Sequence, residues 1–332
     1  METNTVRHAG TADLSRGEPG LHLAPPAPED APALAALTWA AYRPVLTEAG
    51  ALPSDGGARP VRLAAWRDGI AVGLGLAVAA PQAGTASLLS LMVTAAERRR
   101  GIGRALLRGL SEEARRLGCS RMHASWSDRL PGSAAFGALL ARDGWTPPAA
   151  ERLRICGPVK HTLALFRDRR GLIARMERGG LRFRSWAEAG LLAEAVAAEG
   201  IARGEVPDWA DPARWRQSLC PDMSLVLTDA DGAVRGWAVC EPQPSMNRWY
   251  FPVGWVLPPQ DKRGWLLGAY AEGARRLAAA HGDETLVVTE TSPRLPEMWG
   301  LLDKHFRPLA HWTDCYMTSH VVLSPDDAGS AA

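Results

Sequence analysis

The chain has 332 residues, which at about 150 residues per domain predicts two domains, each large enough to bury its own core. Hydrophobic residues make up 46% and charged residues 22%, the balance of a folded chain and not of a disordered one. Lys plus Arg number 38 against 36 Asp plus Glu, a net charge of +2, so no global basic excess points to nucleic acid or to a membrane surface. In chain order, Leu21 to Leu37 reads as a short strand and a helix whose start is Pro28 to Ala31, and Arg62 to Val78 as two strands around the turn Asp68-Gly69. An apolar strand, Leu88 to Val93, precedes an amphipathic helix, Gly103 to Gly118. The strand Ser120 to Asp128 leads into a helix that ends at Gly144-Trp145.

The same order then recurs. Leu181 to Val196 repeats the opening strand and helix, Ser224 to Val239 repeats the Asp-Gly hairpin, and Gly264 to Gly282 repeats the amphipathic helix, both copies carrying Ala-Arg-Arg-Leu. Glu284 to Ser292 repeats the strand that runs into Arg-Leu-Pro and a helix, this time ending at His305-Phe306. Four matches in register, all offset by about 160 residues, predict two copies of one mixed unit. A large α/β domain of look-alike elements is the alternative. The expected division is a first domain over 20–155, a connector over 156–180 with its own strand and helix, and a second domain over 181–323. The ends, 1–19 and 324–332, are rich in small and polar residues and are expected to be disordered tails.

Five cysteines (Cys119, Cys156, Cys220, Cys240, Cys315), odd in number and without a Cys-x-x-Cys, argue against a disulfide framework and a zinc cluster, so no metal is expected. The start lacks the apolar core of a secretion signal, and the longest apolar run, Ile70 to Ala80, is too short to cross a bilayer. The expectation is a cytoplasmic protein with neither membrane nor nucleic-acid partner.

One motif carries sharp chemistry. After the strand ending at Val93, Arg98-Arg99-Arg100-Gly101-Ile102-Gly103 opens a long helix. A strand, a glycine-bearing turn and a helix N-terminus make an anion site, because first-turn amides have no intrahelical acceptor and the macrodipole adds positive charge. Gly101 and Gly103 let backbone approach a bulky diphosphate. The dinucleotide fingerprint and the Walker loop are both excluded by their missing glycine and Gly-Lys-Ser/Thr.

These residues resemble the GNAT superfamily of acetyl-CoA-dependent N-acyltransferases, whose Arg/Gln-x-x-Gly-x-Gly/Ala is matched by Arg98, Gly101 and Gly103. The flanking elements follow the family's order, and Ser133 to Trp145 corresponds to its closing Asn-x-x-Ala-x-x-Leu-Tyr segment. The resemblance covers about residues 20–155, and 181–320 through the repeat. It implies a mixed, mostly antiparallel α/β sheet flanked by helices in each domain. Acetyl-CoA would lie in a V-shaped gap between the strand Leu88 to Val93 and the strand Arg121 to Trp126. Its pantetheine would pair with backbone at Leu91, Met92 and Val93, its diphosphate would rest on amides of Arg99, Arg100, Gly101, Ile102, Gly103 and Arg104, and Ser133 would line the site. The reaction implied is direct acyl transfer to a primary amine of a small molecule; a peptide or protein amine is the alternative acceptor.

Two family positions are blank. Ser90 stands where many members carry a Glu base, and Leu140 where they carry a Tyr acid. Ser90 cannot deprotonate an ammonium at its ordinary pKa, so His123, with Ser125 and Asp128 on or after the same strand, becomes the candidate base near neutral pH; a hydrogen-bonded structural histidine is the other reading. Tyr42 either touches the acceptor or belongs to the core. A non-catalytic acyl-CoA-binding protein would also fit the blanks. In the second copy, Gln260-Asp261-Lys262-Arg263-Gly264-Trp265-Leu266 replaces the loop, and Trp265 and Leu266 are expected to crowd a diphosphate. Seven of the thirteen Trp fall between 186 and 265, chiefly for packing or else for an aromatic acceptor pocket, and Glu205, Asp208 and Asp211 form an acidic cluster that could attract an amine.

Overall fold

A computed structural model describes residues 20–47, 57–167 and 170–323; the tails expected at 1–19 and 324–332 lie outside the described residues. The first copy runs β1 (Leu21–Ala24), α1 (Ala31–Leu34), β2 (Arg59–Arg67), β3 (Ile70–Ala80), β4 (Thr85–Val93), α2 (Ile102–Arg116), β5 (Arg121–Ser127), α3 (Ser133–Arg142) and β6 (Ala149–Pro158). Helices α4 (Val159–Arg167) and α5 (Arg170–Arg178) fill the connector. The second copy follows as β7 (Arg182–Ser185), α6 (Trp186–Ala202), β8 (Leu225–Thr228), β9 (Val234–Gln243), β10 (Arg248–Val256), α7 (Trp265–His281), β11 (Leu286–Thr291), α8 (Pro296–Leu301) and β12 (Trp312–Val322). The repeat extends to turns. A 3-10 turn joins β3 to β4 and another joins β9 to β10, each opening on Pro and closing on a left-handed residue, Gly84 (φ 66°) and Asn247 (φ 47°).

The chain divides into two compact units, residues up to 149 with 317 onward, and residues 150–316. The division does not follow two contiguous halves: residues 317–323, expected with the second copy, belong to the first unit. A strand's sequence encodes its faces but not its partner, and Leu323 N–H donates to Ser120 O at 2.8 Å while Thr318 Oγ1 donates to Ala124 O at 3.2 Å.

In the first unit β1, β2, β3 and β4 are antiparallel neighbours and β4 pairs with β5 in parallel. The β2–β3 turn is the expected one, with Asp68 (φ 50°) and Gly69 (φ 78°) both left-handed, as a two-residue hairpin of type I′ requires. Helix α2 packs Leu107, Leu110 and Ala114 with Leu88, Met122, Ala124 and Leu140, and Ile102 and Leu106 with Leu23, Ala65 and Val72. On the sheet face opposite α2, Leu34, Leu37 and Leu46 cover Leu74 and Leu76. The helix expected from Pro28 is broken here into a 3-10 turn at Pro28–Asp30, the short α1 and further 3-10 turns up to Leu46. Pro32 is the reason: its ring would clash with the carbonyl four residues back, so the helix restarts with Pro32 in its first turn.

The second unit orders its strands β6-β11-β10-β9-β8-β7, with β10 and β11 parallel. Helix α6 packs Trp186, Ala189 and Ala193 against Val226, Trp237 and Val239, and α7 packs Trp265 and Ala269 with Met176, Leu225 and Leu227. Among the described residues no helix is long and apolar enough to cross a membrane.

Candidate active site

The first unit's sheet opens at β4. Parallel pairing with β5 runs from Thr85↔Arg121 to Leu88↔Ala124, yet β4 continues to Val93 and β5 to Ser127. The cause is local. The β3–β4 register slips between Leu76 and Ala77, where Leu89 is the extra residue, and a bulge of this kind increases twist and turns the strand aside. Leu91, Met92 and Val93 keep their pairing to Gly75, Leu74 and Gly73 on the β3 side, so the strand edge that faces away from β3 borders the opening.

Beyond Val93 a 3-10 turn, Ala95–Glu97, leads to the arginines. Arg98 Nε donates to Val93 O at 3.2 Å, which ties the loop back to the strand end. Glu97 holds Arg67 at 3.0 Å and Arg100 at 3.7 Å. Arg99 (φ 65°) and Gly101 (φ 81°) are both left-handed, and Gly101 is the N-cap of α2 without any side-chain cap. The first-turn amides of Ile102, Gly103 and Arg104 therefore lack an intrahelical acceptor and carry the positive end of the helix dipole. A Cβ built on Gly101 would meet nothing within 4 Å, so the cap faces open space. At Gly103 a Cβ would stand 3.6 Å from Leu139 and 3.8 Å from Val93, ordinary contacts that do not demand glycine. The Arg104 side chain turns away to Asp143 at 2.8 Å, which Arg108 shares at 2.7 Å, so Arg104 offers the site its amide.

The residues expected at the chemistry lie on the sheet face that carries Leu34 and Leu37. Ser90 is buried at 7% exposure, while Leu140 is completely buried in the opposite core and reaches no opening. His123 is exposed on β5, one register step before pairing ends, and its Nε2 lies 3.0 Å from Ser87 Oγ on β4. Sequence reasoning does not single out Ser87; the signal is the alternation of Thr85 and Ser87 with buried Ala86 and Leu88. Ser125 is exposed just past the last paired step, and Asp128 lies in the turn after β5. Tyr42 is half-buried and packs against the core of Leu34, Leu37, Leu46, Leu74 and Leu76. Ser133 accepts a hydrogen bond from Trp126 Nε1 at 3.0 Å, and the Trp126 ring stacks edge-on to Phe136 at 5.0 Å. The structure thus brings Ser87 and His123 into contact near the end of the parallel pairing, leaves Ser90 buried on β4 and Ser125 exposed on β5, and gives Ser133 a structural partner.

The second unit repeats the opening and alters its floor. Pairing of β10 with β11 ends at Phe251↔Thr289, again beside a register slip. The cap of α7 is Gly264 (φ 74°), but Met176 Cε on α5 would lie 2.9 Å from its Cβ, and Trp265 is buried to 1% exposure. Trp186 and Trp237 are likewise core, while Trp209 meets Trp255 edge-on at 5.4 Å and stays 42% exposed. In the acidic cluster Glu205 pairs with Arg203 at 2.9 Å and Asp211 accepts from Ala213 N–H at 2.9 Å, so both serve their own loop.

Residues 31–136 match the family model of the acetyltransferase (GNAT) family. Among solved structures, a GCN5-related N-acetyltransferase from Sphaerobacter thermophilus is 16% identical over 95% of this chain and 99% of its own, with a TM-score of 0.53. A tandem GNAT protein from the clavulanic acid biosynthesis pathway is 18% identical over 92% of this chain and 100% of its own, with a TM-score of 0.51. At these identities the likeness speaks for the fold. No match was found among curated proteins. Residues 31–136 thus match the acetyltransferase (GNAT) family model over the splitting parallel pair and the glycine-capped helix, and the chain as a whole shares the fold of tandem GNAT proteins.

Proposed function

We propose that the first unit binds acetyl-CoA and transfers its acetyl group to a primary amine of a small molecule. The observation that carries this is the open cap at Gly101, set at the end of a strand that has parted from its neighbour. The residues present fit the donor. A diphosphate would accept from the amides of Arg99 to Arg104, with Arg98, Arg99 and Arg100 adding charge-assisted contacts. Gly103 costs a helix about 1 kcal/mol relative to Ala, and packing does not ask for it, which supports a ligand beside the first turn. Pantetheine would pair with the free edge of Leu91 to Val93. No metal enters this reading. Cysteines that form no disulfide support a reducing compartment, the cytoplasm.

With the thioester at the opening, the amine attacks its carbonyl directly, and the tetrahedral intermediate collapses by breaking the C–S bond, expelling CoA as a thiolate that takes its proton from water. Holding both reactants at contact distance supplies most of the acceleration, and a backbone amide polarises the oxygen. His123 takes the proton from the ammonium, since Ser90 cannot and Leu140 lies in the core. The histidine is held by Ser87 and faces outward beside Ser125, within the opening's mouth.

The buried Leu140 favours a second reading, a protein that binds acyl-CoA without turnover. CoA release from acetyl-CoA, followed with a thiol reagent across a panel of small primary amines, separates the two. Acceptor-dependent release supports the transferase. Tight CoA binding without release from any amine favours the second reading.

A further inference from the structure

The second unit carries charged chemistry that the donor site does not use. On β6, Arg152 and Arg154 alternate with buried Leu153 and Ile155, so both guanidinia stand on one sheet face. Arg154 lies directly across from Glu290 on β11, and Tyr250 on β10 donates a hydrogen bond to that carboxylate. Burial, reinforced by the Glu290 charge, pushes the Tyr250 phenol far above its ordinary range, so it remains a donor at any working pH. Tyr316 lies under Arg152 at 4.4 Å and under Arg154 at 5.9 Å.

The ion pairs in this cluster are poor. Arg154 Nε stands 3.4 Å from Glu290 Oε2 and Arg152 Nη1 stands 3.5 Å from Oε1, beyond the 2.7–2.9 Å of a well-made charge-assisted bond. Arg154 Nε and Glu290 Oε2 are each buried without a hydrogen bond. Two guanidinia thus share one carboxylate, Arg152 through a long hydrogen bond of 3.5 Å and Arg154 through none, while Arg154 Nη1 donates to Tyr316 Oη at 3.5 Å. Arg152 is fixed over an aromatic ring yet keeps 41% of its side chain exposed, so an arriving anion finds it already ordered. Nor does the sheet require such a cluster. At the matching steps of the first unit, one before and one after the end of parallel pairing, stand the uncharged Ser87 and Ser125 where the second unit has Tyr250 and Glu290.

We infer that Arg152 and Arg154, with the ring of Tyr316, form a binding site in the second unit for a small planar carboxylate. The guanidinium fork of Arg152 matches a carboxylate bidentately, and its stacking on the Tyr316 ring holds the fork in place. Arg154 stays with Glu290 and adds its field. The site belongs to the second unit and the donor loop at Gly101 to the first, and its existence does not depend on the acyltransfer reading.

Calorimetric titration of the full chain with benzoate, and separately with inorganic phosphate, tests this. Benzoate should saturate at one site per chain. Arg152→Gln should weaken it by about tenfold or more, the loss of one hydrogen-bonded charge, with the melting temperature and CoA affinity unchanged. Arg152→Lys, which keeps the charge and loses the fork, should still weaken it several-fold. The pair Arg154→Gln/Glu290→Gln removes both buried charges together and should also reduce affinity. Absence of saturable benzoate binding, benzoate binding indifferent to Arg152→Gln, or tighter binding of phosphate than of benzoate would each overturn the assignment.

Discussion

Gly101 and Gly264 occupy the same place in two copies of one fold. Each ends the loop after a splitting strand, each is left-handed, and each caps a helix without a side chain's help. They differ in what stands in front of them. Gly101 faces open space; Gly264 meets Met176 of the connector helix, and the residue after it is a buried Trp265 instead of Ile102. Backbone geometry alone therefore does not make an anion site. The cap must also stay uncovered, and in the second unit apolar side chains cover it.

The largest effect should come from the core residue that follows each cap. Trp265→Ala removes a side chain at 1% exposure and should cost about 3–5 kcal/mol, against about 2–5 for Ile102→Ala, measured by urea denaturation. A loss under about 1 kcal/mol for Trp265 would mean that it is not the packing element described. Next, His123→Asn should lower acceptor-dependent CoA release by about a hundredfold or more, while CoA affinity holds within about twofold. Unchanged turnover would return His123 to a structural role. The glycines themselves come third. Either Gly→Ala forces a Cβ into left-handed backbone at roughly 1 kcal/mol, and Gly264→Ala should lose more because Met176 must move. Equal losses would argue against Met176 as the cover. Smallest is an acid-side effect in α7. Glu272 is pushed up by burial, but hydrogen bonds from Arg275 and Arg276 outweigh that and hold its pKa below the usual carboxylate value. A depressed pKa adds stability at neutral pH that fades as pH falls through it, so Glu272→Gln should cost about 1 kcal/mol at pH 7 and progressively less as the pH is taken below the usual carboxylate range. Its counterpart Glu112, lowered mainly by its hydrogen bond from Arg115 but more exposed, should contribute less.

Much of this contrast is legible in the sequence. The offset of the repeat, the Asp-Gly hairpin and the Arg98 to Gly103 turn are local signals, and Trp265-Leu266 in place of Ile102-Gly103 announces an altered helix start. What escapes is non-local. Nothing in residues 317–323 says that they join the first unit, because pairing partners are chosen by tertiary packing. Met176 reads as one apolar position in a short connector helix, and its place over Gly264 follows from how α5 packs on α7. Ser87 and His123 are thirty-six residues apart and meet through parallel register. Arg152 and Arg154 do alternate with apolar Leu153 and Ile155, and Glu290 stands between Thr289 and Thr291, yet that pattern marks a face without naming who shares it.

The central claim is that the open cap, and not its covered twin, holds the donor. Calorimetric titration of CoA into the wild-type chain, Gly101→Glu and Gly264→Glu measures it directly. The account predicts one CoA per chain, abolished by the first substitution and retained by the second; two sites per chain, or binding that survives at Gly101→Glu, would contradict it.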